Sequence, residues 1–103
     1  MPTRKRDVEV PKSAVKRFCK KHHVRKLSLF GSVLREDFRA DSDVDVLVEF
    51  EPGKGPGFLG LARMERKLSA ILGRKVDLRT PQELSRYFRD DVLSSAEVQY
   101  AER

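Results

Sequence analysis

The chain has one cysteine, no tryptophan and no long apolar run. A lone Cys19 excludes an internal disulfide and any cysteine-rich zinc site. Without a long apolar run, nothing in the sequence can span a bilayer as a helix or form the apolar stretch of a signal peptide. The N-terminal MPTRKRDVEVP is basic but no such stretch follows it. The expectation is a cytoplasmic protein with no membrane association. Internal repeats and low-complexity runs are also missing. Aromatic residues make up only 8%, too few for the stacking platforms of a single-strand nucleic-acid binder.

What the chain does have is charge. Asp, Glu, Lys and Arg make up 37% of it, and the formal net charge is +6. Basic residues crowd the N-terminal part, in KSAVKRFCKKHHVRK, and recur at Arg74 and Lys75. Such a balance favours polyanions, either nucleic acid or a phosphate-bearing molecule. With few aromatics and no nucleic-acid motif, direct nucleic-acid binding ranks last, and scattered charges read as a solvated surface. At 103 residues the chain is one domain with a modest core, for which a covering partner would be useful.

Residues 1–10 read as a basic tail, and the domain as 11–103. Pro11 suits the first turn of a helix, and Ala14, Val15, Phe18 and Cys19 follow at helical spacing. RKLSLF (25–30) alternates as a strand. Gly31-Ser32 ends it, with Ser32 a candidate N-cap for a short helix over SVLREDF. DVDVLVEF (43–50) is the clearest strand, rich in valine. EPGKGPG (51–57) is a loop without the residue order of a P-loop. Residues 58–73 form an amphipathic helix closed by Gly73. RKVDLRT (74–80) is a short strand. PQELSRYF begins a further helix after Thr80, and the last stretch continues as helix or breaks near Ser94. The fold class is α/β (α+β), a small mixed sheet of three to four strands with helices packed on it. The long helix before the third strand permits a parallel crossover, and the first two strands are expected to be antiparallel.

Within that frame, Asp43 and Asp45 are misplaced for a purely structural strand. Two apart, they share one face, with α-carbons about 6.5 Å from each other, while Val44, Val46 and Val48 point the other way. Two carboxylates on one face repel, and burying them unpaired is costly. Hard oxygen donors at this spacing suit Mg2+ or Mn2+ together with phosphate oxygens. Asp77, between Val76 and Leu78, sits in a similar setting. If its strand lies parallel beside the second, it joins the pair, and three such carboxylates can hold two metals about 4 Å apart. Gly31-Ser32 supplies backbone N–H groups and a hydroxyl suited to an anion. The blander readings are an N-cap for Asp43, an ion pair of Asp77 with Arg74, Lys75 or Arg79, simple capping by Ser32, and a solvated Arg35.

GSVLREDFRADSDVD contains Gly-Ser, ten residues, then Asp-x-Asp. It resembles the signature of the DNA polymerase β-like nucleotidyltransferase superfamily. The LFGS lead-in, Arg35, SDVDVLVEF and GRKVDL make residues 11–100 similar to the minimal nucleotidyltransferases, the MNT domains of bacteria and archaea. The resemblance implies a polymerase β-like palm. It also implies that Asp43 and Asp45 are metal ligands, with Asp77 as third ligand or base. By the same likeness Gly31 and Ser32 hold the triphosphate, and Arg35 contacts phosphate or a partner. Further, it implies a Mg2+-dependent (or Mn2+-dependent) enzyme that transfers AMP from ATP to a hydroxyl, by likeness a tyrosine, of a HEPN-domain toxin, and so acts as its antitoxin. The alternative is a non-catalytic module that neutralises its partner by complex formation. A short chain with no segment left to hold an acceptor points independently to a protein partner, in a homo- or hetero-oligomer.

Overall fold

A computed structural model describes residues 10–34 and 42–102. The carbonyl of Pro11 accepts the Val15 N–H at 3.0 Å and starts helix α1 (Lys12–Lys21). Val15, Phe18 and Cys19 line its buried face, and Lys20 and Lys21 sit in the last turn, where cations suit the helix dipole. His23 takes a left-handed φ of 59° and turns the chain directly into β1 (Val24–Phe30). After a 3-10 turn at Gly31–Leu34 and residues outside the described range comes β2 (Val44–Phe50). Helix α2 (Phe58–Leu72) follows the glycine-rich loop and closes on Gly73, whose φ of 69° is the left-handed cap that glycine tolerates. Then come β3 (Val76–Arg79), a 3-10 turn at Pro81–Glu83, α3 (Arg89–Ser95) and β4 (Glu97–Ala101).

The four strands form one sheet in the order β3-β2-β1-β4. β1 is antiparallel to β2 and to β4, whereas β2 and β3 are parallel, joined by α2. Strand alternation divides the side chains between two faces. Leu27 and Leu29 of β1, Val44, Val46 and Val48 of β2, and Val76 and Leu78 of β3 meet α1 and α2 in one core with Val15, Phe18, Met64 and Leu68. The opposite face of the sheet carries Ser28, Asp45, Leu47, Asp77 and Arg79. Thus Val44, Val46 and Val48 hold the strand to the helices, and Asp45 between them is directed away from that core.

Several sequence expectations need correction at their ends. Asp43 lies just before β2 instead of within it, and β3 is shorter than residues 74–80. The expected short helix at SVLREDF is a 3-10 turn as far as Leu34, and the rest lies outside the described residues, as does tail segment 1–9. Val10, assigned to that tail, is partly buried against the core. PQELSRYF does not continue as a helix. Thr80 makes no side-chain cap, its hydroxyl meeting the Glu83 carboxylate at 3.4 Å instead, and Leu84 returns to extended backbone. The largest departure is β4. The terminal stretch breaks after Ser95 and pairs with β1 as a strand, with Tyr100 opposite Leu27 and packed against the core.

Candidate active site

The end of β1 and the start of β2 form the floor of the site. Phe30 pairs with Asp45 across the antiparallel ladder, so the next residue, Gly31, stands beside the Asp45 carboxylate. Gly31 has a φ of 76°, and a β-carbon there would lie 3.2 Å from the Asp45 Cγ and closer still to Oδ2. Only glycine satisfies both the backbone conformation and this approach. Val33, buried in the core, anchors the turn that follows. Ser32 lies in that turn; its side chain and the whole of Arg35 lie outside what is described.

The other half comes from the parallel pair. Asp45 is aligned with Asp77, and Val44 with Val76. The Val44 N–H donates to the Lys75 carbonyl at 2.9 Å, and Arg74 Nη2 donates to the Ser42 carbonyl at 2.9 Å. These two bonds fix the backbone on both sides of Asp43, which is itself exposed. On its outer side β3 is held by α2. Ser69 Oγ accepts the Val76 N–H at 3.0 Å, and Glu65 Oε2 accepts the Leu78 N–H at 2.7 Å. The flanks of Asp77 are thereby pinned, and an edge that would otherwise expose unpaired N–H groups is covered.

Asp77 is engaged. Arg79 Nε lies 3.2 Å from its Oδ1, and Arg79 Nη2 donates to its Oδ2 at 3.2 Å, a bidentate pair. Arg79 Nη1 also faces Glu83 Oε1 at 3.7 Å. The Arg79 guanidinium is pushed above its ordinary value, first by the hydrogen bond and charge of Asp77, then by the weaker charges of Glu83 and Asp45, against a small loss of solvation. A cavity of about 230 Å³ opens next to this pair, walled by Phe58, Leu61 and Ala62 of α2 and by Asp77, Arg79 and Glu83. Phe58, at 86% exposed, stands at its mouth.

Of the residues singled out from the sequence, then, Gly31, Asp45 and Asp77 are brought together, with Asp43 at the entrance to β2. Among the described residues no three His, Cys, Asp or Glu side chains lie close enough to hold a metal ion as a group. The donor chemistry still fits a hard divalent ion. Asp45 is a carboxylate against the Gly31 backbone, Asp43 stands two residues before it, and the sequence flanking them adds no sulfur or imidazole. The sequence reading missed Arg74, Glu65 and Ser69 as supports and Phe58 as a wall of the site. Phe58 could have been flagged as an apolar residue directly after a glycine-rich loop; the others carry no local signal.

The model of the nucleotidyltransferase domain family matches residues 12–98. A Methanocaldococcus jannaschii protein bearing the provisional name protein adenylyltransferase is 38% identical over 76 residues, covering 74% of this chain and 80% of the relative. A solved structure provisionally described as a minimal nucleotidyltransferase superposes with a TM-score of 0.68 at 38% identity, covering 82% of this chain and 85% of that one. A chain from the complex of a tri-AMPylated Shewanella oneidensis HEPN toxin with an MNT antitoxin has a TM-score of 0.62 at 16% identity, covering 87% of this chain and 69% of that one. At that identity the last likeness shows the fold alone.

Proposed function

Because the chain belongs to the nucleotidyltransferase domain family, we propose that it transfers AMP from ATP to a hydroxyl of a partner protein, the acceptor being a tyrosine of a HEPN-domain toxin for which this chain is the antitoxin. The observation that carries this reading is the packing of Gly31 against Asp45, with Asp77 in register on the neighbouring strand. Residues 11–103 are the catalytic unit, and the cytoplasm is where its nucleotide and partner would be met.

In this reading, backbone N–H groups at Gly31-Ser32 receive the triphosphate, and Arg35 adds positive charge near it. Asp43 and Asp45 would hold Mg2+ or Mn2+, with Asp77 as the remaining carboxylate. When bound, the ion supplies charge neutralisation on the phosphates. The acceptor oxygen forms a bond to the α-phosphorus, the bond from that phosphorus to the bridging oxygen breaks, and pyrophosphate leaves. Asp77 takes the hydroxyl proton. The cavity walled by Phe58 adjoins Asp77 and is of a size for one side chain. For Asp77 to act, Arg79 must exchange its carboxylate for another anion, and an incoming phosphate is a suitable one.

The test uses ATP labelled in the α-phosphate, Mg2+ and the purified HEPN partner. Wild-type protein should label the partner, and Asp43→Asn/Asp45→Asn should reduce labelling by about 10²- to 10³-fold or more. Equal labelling by both would sink the reading. The Asp77–Arg79 pair favours a second reading, in which the chain neutralises the toxin by binding alone. In that case the double variant still protects cells and still forms the complex.

A further inference from the structure

On the side of the sheet away from Asp45, α1 and α2 leave a groove of about 540 Å³ between them. Phe18 and Ile71 contribute to its floor, and Arg17, Lys21 and Lys67 surround it. Among the described residues, none that lines it carries a carboxylate. Lys21 and Lys67 stand so close that the Lys67 ammonium is pushed below its ordinary value, first by the hydrogen bond and charge of Lys21, then by desolvation and Arg63. His22 has a buried Nε2 with no hydrogen-bond partner among the described residues, its ring tilted against Phe18 at 4.8 Å between centroids. Like charges held together and a buried polar atom left unpaired both cost free energy. An anion seated between the helices removes the first of these costs.

We infer that this groove is a docking surface for an acidic segment of a protein partner, one carrying carboxylates around an aliphatic anchor. The charge ring selects carboxylates over basic or neutral sequences. The apolar floor calls for more than a free inorganic anion, because Phe18 and Ile71 offer nothing to phosphate. The lining residues Ala14 to Lys21 run along two turns of α1, about 10 Å, which matches a helical or extended segment in a groove. This surface is independent of the nucleotide reading and uses none of its residues.

The probe is a short fluorescein-labelled helical peptide of Glu and Ala with one leucine stripe, measured by fluorescence anisotropy with the full chain at about 0.15 M salt. Saturable binding is expected, weakened about tenfold or more by Lys21→Glu/Lys67→Glu, whose sites are exposed enough to leave folding intact. Ile71→Ser should weaken it as well. AMP and pyrophosphate should not compete with the peptide. The proposal is overturned if the leucine-free acidic peptide binds equally well, if the charge-reversed variant binds normally, or if AMP displaces the peptide. Self-association abolished by the same charge reversal would give the groove to a second copy and overturn it too.

Discussion

The Glu65 carboxylate accepts the backbone N–H of Leu78 at 2.7 Å, one residue beyond Asp77. One turn along α2, Ser69 Oγ accepts the Val76 N–H, one residue before it. A helix that also packs Met64 and Leu68 into the core therefore dictates where a candidate catalytic carboxylate stands. Glu65→Ala should destabilise the protein by about 1.5–3 kcal/mol, because it strands a part-buried donor that had a charged acceptor. Glu65→Gln, whose amide oxygen still accepts, should recover most of that. Urea unfolding of the three proteins checks the order.

Gly31 and Gly73 make a matched pair for separating backbone cost from site geometry. Both have a left-handed φ, 76° and 69°, but a β-carbon at Gly73 would meet nothing among the described residues within 4 Å, while at Gly31 it would strike Asp45. Alanine at either position should cost about 1–2 kcal/mol from the backbone. Only Gly31→Ala should also reduce AMP transfer, by about a hundredfold, since it displaces a carboxylate from its working position. Equal activity in the two variants would remove Gly31 from the site.

Arg79 already holds Asp77 in a bidentate pair, so on the proposed reading it competes with a cation for that carboxylate. Because Arg79 is about half-exposed, Arg79→Gln should change stability by no more than about 1 kcal/mol. It should also lower the Mg2+ concentration for half-maximal AMP transfer by roughly two- to fivefold, what an interaction of about 0.5–1 kcal/mol amounts to. A Mg2+ titration of both proteins at saturating ATP measures this. An unchanged or raised Mg2+ requirement would assign Arg79 to phosphate binding alone.

Burial pushes the Cys19 thiol up from 9.0 to about 12. The folded state therefore favours the protonated thiol. That contribution is complete below pH 9 and is lost as pH rises toward 12, at roughly 1.4 kcal/mol per pH unit. Wild type should lose stability relative to Cys19→Ala across that window, and the two should run parallel below it. Iodoacetamide at pH 8 should modify Cys19 only in the unfolded chain, because the thiolate is the reactive form.

Local pattern carried much of this fold. The spacing of Val15, Phe18 and Cys19, and of Met64, Leu68 and Leu72, is enough to define α1 and α2, since a helix buries whatever recurs every three to four residues. The alternation in DVDVLV separates a valine face from an aspartate face before any partner strand is known. Gly31-Ser32 also stands out, because a glycine at the end of an apolar strand has few structural reasons to be there. The strand β4 was not legible. EVQYA is short, only Val98 and Tyr100 alternate within it, and its preference for β1 over a helix comes from the open edge that β1 presents. The helix expected at PQELSRYF failed for a related reason. Thr80 turned its hydroxyl to the Glu83 side chain and left the backbone uncapped.

The sequence by itself determined which groups could do chemistry, because residue type and period-two spacing are local properties. It set Asp45 apart from the flanking Val44 and Val46, with Asp43 two positions earlier at the entrance to the strand. Only the tertiary structure decided that Asp77 aligns with Asp45, because the register of a parallel pair is set by how α2 packs across it. It likewise decided that Arg79, two residues along the same strand, holds Asp77, where the sequence left Arg74, Lys75 and Arg79 equally eligible. Arg74 reaches instead for the Ser42 carbonyl, 32 positions away along the chain, a contact that no local rule contains.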